Sequence, residues 1–341
     1  MTDLSQLTNR VLVIGLTALI SACATEKQWI RNVAAGPALG TSYSIIYLTQ
    51  EPTDLQSEID SVFAVVNQSM STYIPASDIS RINKGDSTIT VDHMFREVFE
   101  LSKEVYNSTD GYFDPTVGVL VNAWGFGPGK QIDLDSSKVD SLLRYVGFSK
   151  VNLTANGRVI KSRPQIRFDF NAVAKGYAVD RLGRLLDEID IENYLIEVGG
   201  ELLARGENRQ KKKPWVVGID DPRVTEGRKL MRTIYLKNNA MASSGNYRKF
   251  RVDSISGEKY VHTIDPKTGY TKNSKVLSSS VIARTCARAD AFATAFMAME
   301  LADTKLILSE ERNLEAYIIY LDDSGEAEEF MTEGFAEIIT R

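Results

Sequence analysis

Val276-Leu-Ser-Ser-Ser-Val-Ile-Ala283, followed by Cys286-Ala-Arg-Ala-Asp290-Ala-Phe-Ala-Thr294-Ala295, decides the fold class of this chain. The first run suits a strand and the second a packed helix, joined by a short polar turn. On that helix Asp290 and Thr294 share a face, because positions i and i+4 lie one above the other. The opposite face carries Phe292, Phe296 and Met299, which suit a core. Two hard oxygen donors so placed can hold Mg²⁺, which accepts few protein ligands and leaves room for water and phosphate. Taken alone, the spacing fits a structural Asp and Thr better.

More strands flank this unit. Tyr194-Leu-Ile-Glu-Val198, Trp215-Val-Val-Gly-Ile219, Thr233-Ile-Tyr-Leu236 and Arg248-Lys-Phe-Arg-Val252 precede it, broken by Gly, Asn and Asp-Pro turn signals. Tyr317-Ile-Ile-Tyr-Leu321 follows and enters a terminal hairpin. The first half is more helical. Leu55, Ile59, Val62, Phe63, Val66 and Met70 keep helical spacing, as do Phe95 to Val105 and Ala174 to Ile189. Tyr43 to Leu48 and Gln165 to Phe170 read as strands between them. With no repeat or long linker, the expected fold is α+β, with mixed, largely antiparallel sheets and interleaved helices.

The 341 residues can bury a large core, in one domain or two intimately packed ones. A formal net charge of −5 argues against a nucleic-acid surface. The one dense basic run, Arg209 to Lys213, lies between two expected strands and reads as a solvated hairpin loop. At the N-terminus, Arg10 precedes the apolar run Val11 to Ile20, too short for a membrane span and ending in Leu19-Ile20-Ser21-Ala22-Cys23. That order resembles a bacterial lipobox. It predicts a signal peptide over residues 1–22, lipidation at Cys23, a tether over 23–36 and a catalytic domain over 37–341. The lipid would anchor the protein to a bacterial membrane, facing the periplasm. Cys286 is then the only other thiol, so no disulfide forms within the chain.

Further segments carry chemistry: Met70-Ser-Thr-Tyr73, Gly111-Tyr112-Phe113-Asp114-Pro-Thr-Val-Gly118 through Trp124-Gly-Phe-Gly127, and Asp169-Phe-Asn-Ala172-Val-Ala-Lys175-Gly176-Tyr-Ala-Val-Asp180. Asn193 to Glu201, Ser243-Ser-Gly245-Asn-Tyr-Arg248 and His262-Thr-Ile264-Asp265-Pro-Lys-Thr-Gly269 complete the set. With the Asp290 helix, and in this order, they resemble the ApbE family of FAD:protein FMN transferases from about Leu39 to the last strands. The resemblance implies a T-fold-related architecture. It also implies an Mg²⁺-dependent enzyme that splits FAD and attaches FMN through a phosphoester to a threonine or serine hydroxyl of a target protein, releasing AMP. The expected targets are flavin-bearing subunits of Na⁺-translocating NADH:quinone reductase or Rnf-type complexes. Hydrolysis of FAD to FMN and AMP and non-catalytic FAD binding by a lipoprotein are the alternatives.

The resemblance also assigns residues. Mg²⁺ is held by the Ala172 carbonyl and the side chains of Asp290 and Thr294. Leu39, Tyr73, Tyr112, Phe113, Asp114, Asp169 and Ile264 line the FAD site, and Lys175 contacts FAD. By composition alone Phe113 fits a core equally well, and Lys175 is either a phosphate ligand or solvated. His262, one of only two histidines, suits the base that takes the acceptor's proton. Asp265 orients His262, supports the metal indirectly or serves the turn before Pro266. Cys286, beside no obvious activating group except Arg284 and Arg288, reads as a small core residue.

Overall fold

Short alternating strands build the centre of the molecule, and their two faces are covered by different elements. The computed structural model describes residues 28–340 apart from 225, 226, 228, 246–249, 253–258, 262 and 273. The chain opens with β1 (Ile30–Ala38), β2 (Thr41–Thr49), α1 (Gln56–Met70), α2 (Asp78–Asn83) and α3 (His93–Ser108). Then come α4 (Gly118–Ala123), α5 (Ser136–Leu143), β3 (Val151–Leu153), β4 (Val159–Lys161) and α6 (Ala174–Glu188). The β-rich stretch holds β5 (Tyr194–Val198), β6 (Glu201–Arg205), β7 (Trp215–Asp220), β8 (Leu230–Leu236), β9 (Ala240–Gly245), β10 (Phe250–Val252) and β11 (Lys259–Val261). It closes with β12 (Val276–Ala283), α7 (Cys286–Ala298), α8 (Leu301–Glu310), β13 (Glu315–Leu321), β14 (Ala327–Met331) and α9 (Glu333–Glu337).

Eight strands form one antiparallel sheet in the order β1-β2-β5-β6-β9-β12-β13-β14. Alternation sends Ile196, Val198, Leu203, Val281 and Ile318 to one face, where α1, α3, α6 and α7 supply the main core. The intervening Leu202, Ala204, Ile282, Tyr317 and Ile319 face the other way, under the β7–β8 ribbon and α9. A third cluster, around Leu120, Trp124, Val139 and Ile264, joins α4 and α5 to the loop before β12.

The expected α+β, largely antiparallel fold is therefore observed, with two local differences. The stretch Gln165 to Phe170 is not a strand: Arg167 makes one bridge to Val117. The Asn83 amide stands in for a partner strand, accepting from Phe168 N–H at 2.7 Å and donating to its carbonyl at 2.8 Å. The expected tether is in part structured, because Ile30–Ala38 pairs along its whole length with β2. Cys23 and the rest of the apolar leader lie outside the described residues.

Candidate active site

Two tight hairpins fix one end of the sheet. Leu39 and Gly40 link β1 to β2 with φ of 50° and 73°, and Gly199 and Gly200 link β5 to β6 with φ of 63° and 104°. Positive φ at both central residues is the turn that suits strand twist, and three of these four positions are glycine for that reason. The turns sit side by side: Gly199 N–H donates to the Ser42 carbonyl at 3.0 Å. Glu201 directly follows the second turn, and its side chain enters the face where Leu203 joins the main core. Ser243, Ser244 and Gly245 end β9 at the same rim, pairing with Ser280, Ser279 and Ser278 of β12.

Helices α6 and α7 cross over this rim at unusually close range. A Cβ on Gly176 would lie 2.4 Å from the Cys286 carbonyl oxygen, so only glycine permits the approach. Each helix caps the other. Asp180 of α6 accepts the N–H groups of Cys286 and Ala287 at 2.7 and 2.9 Å, satisfying the start of α7. Asp290 of α7 accepts the Gly176 N–H at 3.1 Å, in the first turn of α6. Gly176 N–H is one of the first-turn donors that a helix leaves without an internal acceptor, and Asp290 satisfies it. The Ala172 carbonyl precedes the helix, whose first internal bond runs from Tyr177 N–H to the Val173 carbonyl.

Charge is concentrated here. Asp290 is 3% exposed and Glu201 2%. The Lys175 ammonium donates to Glu201 Oε1 in a short ion pair, while Glu201 Oε2 is buried without a hydrogen-bond partner. Burial pushes the carboxyl of Asp290 up, and the nearby Lys175 charge pulls it back. Burial alone would depress Lys175, but the charges of Asp290 and Glu201 outweigh it and keep the ammonium raised. Thr294 Oγ1 lies one turn along α7, 3.3 Å from Ser244 Oγ. The donor set of the Ala172 carbonyl, the Asp290 carboxylate and the Thr294 hydroxyl is all hard oxygen with a single full charge, which suits Mg²⁺ and not a soft metal. Among the described residues no group of three or more His, Cys, Asp or Glu is placed to hold a metal.

The other expected residues divide. Tyr73 is 59% exposed, and its hydroxyl reaches the Phe126 carbonyl only at 3.5 Å, so its ring is available to a ligand. Asp169 is buried; its own N–H donates to the Pro115 carbonyl at 2.7 Å and its carboxylate accepts the Asn171 N–H at 2.8 Å. That bond shapes the turn leading to Ala172. Burial, and secondarily the Asp169 charge, raises the Tyr73 phenol, which places the two near one another. Tyr112 is partly buried with the Lys267 ammonium 4.1 Å over its ring. Phe113 is a core residue, and Leu39 packs on the edge of the same core. Asp114 accepts from Thr116 N–H, Thr116 Oγ and Phe148 N–H at 2.8, 2.6 and 3.1 Å, so it organises its own loop.

Ile264 is buried in the third cluster and bridges to Thr271. Asp265 serves the turn: its carboxylate accepts Lys267 and Thr268 N–H at 2.8 and 3.3 Å, and Trp124 Nε1 clamps the Gly269 carbonyl at 2.9 Å. His262 falls outside the described residues. Cys286 is buried and its thiol is pushed well up by burial, with the Asp180 charge adding, so it is no nucleophile. Asp180 and Glu201 are buried carboxylates beside the site to which motif reading gives no role. Both stood inside quoted segments, but a carboxylate's value here depends on which helix or lysine it meets.

Buried oxygen donors, one ammonium and a helix start converging on a sheet rim suit a phosphate-bearing ligand accompanied by a hard cation. The chain belongs to the ApbE family, whose model matches residues 39–318. A Haemophilus influenzae protein named FAD:protein FMN transferase is 33% identical over 337 residues, covering 94% of this chain and 95% of the relative. A Vibrio cholerae protein of the same name is 32% identical over 336 residues, covering 96% and 99%. Among solved structures, the flavin transferase ApbE from Vibrio cholerae superposes with a TM-score of 0.80 at 31% identity, covering 91% of this chain and all of the other. The ApbE protein of Thermotoga maritima gives 0.78 at 29% identity, covering 91% and 99%.

Proposed function

We propose that this chain transfers FMN from FAD to a threonine or serine hydroxyl of a target protein, with Mg²⁺ as cofactor. The observation that carries the reading is the convergence of Asp290, Lys175 and the start of α6 at one rim of the sheet, in a chain similar over nearly its whole length to named FAD:protein FMN transferases. The acceptor oxygen forms a bond to the FMN phosphorus, the bridging P–O bond breaks, and AMP leaves. Ala172, Asp290 and Thr294 would hold the cation, which would supply neutralisation of phosphate charge. Lys175 adds a positive charge beside the phosphates. Tyr73 offers its exposed ring for stacking on a flat ligand ring. By sequence resemblance His262 takes the acceptor's proton.

The leader pattern supports lipidation at Cys23, an anchor on a bacterial membrane and a periplasm-facing enzyme. Subunits of Na⁺-translocating NADH:quinone reductase or Rnf-type complexes are the proposed acceptors. Incubation with FAD, Mg²⁺ and such an acceptor domain tests the reading. A fluorescent acceptor band that depends on Mg²⁺ supports it. Free FMN without labelled acceptor means hydrolysis, and unchanged FAD means a carrier.

A further inference from the structure

Glu201 is set into the site with unusual care for a residue with no assigned task. A two-residue turn of left-handed glycines fixes its register, Val198 pairs directly with it, and the alternation of β6 aims it at α6. One carboxylate oxygen takes the Lys175 ammonium, and the other is buried with no partner at all. A half-satisfied buried carboxylate is costly and calls for a reason.

The charges supply one. Lys175 precedes Gly176, whose N–H is bound to Asp290, so one ammonium lies close enough to Asp290 to influence its charge while making its ion pair with Glu201 alone. Burial pushes both carboxyls up, Glu201 to about 7; with both ionised, two negative charges and one positive leave the cluster one unit negative. The Lys175 side chain is only partly exposed and lies against a buried carboxylate, so its ammonium favours pairing with an anion over full solvation. If Glu201 did not hold it, the remaining anion is Asp290, whose carboxylate the cation needs.

We propose that Glu201 is a positioning residue. It captures the Lys175 ammonium and thereby keeps Asp290 open, and the cluster net negative, for a divalent cation. The inference rests on Asp290 as a cation ligand, as in the function proposed above.

Mn²⁺ binding to the full chain, read by electron paramagnetic resonance without FAD or acceptor, tests it directly. Glu201→Gln makes the cluster neutral and should weaken Mn²⁺ binding roughly 10-fold or more, the scale of one charge-assisted hydrogen bond. Lys175→Met/Glu201→Gln removes the competitor with its holder and should restore binding to near the wild-type value. A purely structural ion pair predicts no such rescue. Wild-type affinity in Glu201→Gln, or a double variant as weak as the single, overturns the proposal while the metal reading stands. No Mn²⁺ binding by the wild-type chain overturns both. If Glu201→Gln does not fold, Lys175→Met decides: it must bind Mn²⁺ more tightly than wild type, and weaker binding ends the proposal.

Discussion

Asp114 and Asp290 are both buried carboxylates that sequence motifs place at the site, yet they live in opposite surroundings. Asp114 accepts three hydrogen bonds from its own loop and from Phe148. Asp290 accepts one backbone N–H, that of Gly176, and is otherwise held down only by the nearby Lys175 charge. A carboxylate whose lone pairs are spent on neighbouring backbone holds a loop in shape. One left under-supplied is free to take a ligand. Burial and motif membership do not separate the two; hydrogen-bond satisfaction does.

The comparison breaks most visibly at Asp290→Ala. Mg²⁺-dependent transfer should fall roughly 100-fold or more, because the proposed cation site loses its only charged ligand, while the one stranded Gly176 N–H should cost no more than about 1–3 kcal/mol of stability. Asp114→Ala should do the reverse. It strands the Thr116 and Phe148 N–H groups and should cost roughly 2–5 kcal/mol of stability in denaturant titrations. An Asp114→Ala enzyme that unfolds like wild type but no longer transfers FMN would erase the distinction.

Gly176→Ala sharpens it by moving Asp290 without touching its chemistry. The added methyl meets the Cys286 carbonyl at 2.4 Å and must push α6 and α7 apart. Overpacking of this kind should cost about 1–3 kcal/mol, with a larger proportional loss of activity than of stability. Unchanged kinetics would mean that the crossing does not set the site.

Asp180 gives a subtler effect. Burial pushes its carboxyl from 3.8 up to about 6, against the bonds from Ala287 and Cys286 N–H. The folded chain therefore keeps this proton where the unfolded chain has released it. The contribution favours the fold at acid pH and drains away as pH rises from about 4 to about 6, on the order of 1–3 kcal/mol in all. Melting temperatures of Asp180→Asn across that window should lose part of the wild-type decline. Parallel curves would show that the carboxyl does not titrate there. The smallest effect belongs to Cys286→Ala, which should leave the transfer rate within about twofold, because a buried, protonated thiol has no part in the chemistry.

Much of this was legible in the sequence because it is local. Alternation and helical spacing located β5, β12, α3, α6 and α7 to within three residues at each end, since each buries one face. The Asp290–Thr294 pair follows from helix geometry alone. Gln165 to Phe170 misled because an apolar alternating run does not say whether its backbone meets a strand or, as here, the side chain of Asn83. The β1 edge was missed because Asn32, Gly36 and Pro37 weaken its pattern. Phe113 and Asp265 needed three-dimensional partners to separate core and turn from ligand contact. Glu201 and Asp180 were invisible for the same reason: their partners lie 26 and over 100 residues away.

The hydrogen bond from Gly176 to Asp290 makes one backbone amide a built-in sensor. A cation arriving at Asp290 draws electron density from the oxygen that the amide donates to, so the bond should lengthen as the site fills. The ¹⁵N–¹H resonance of Gly176 then reports occupancy with no label attached to the ligand. Its hydrogen-exchange rate reports how firmly the first turn of α6 is held in each state.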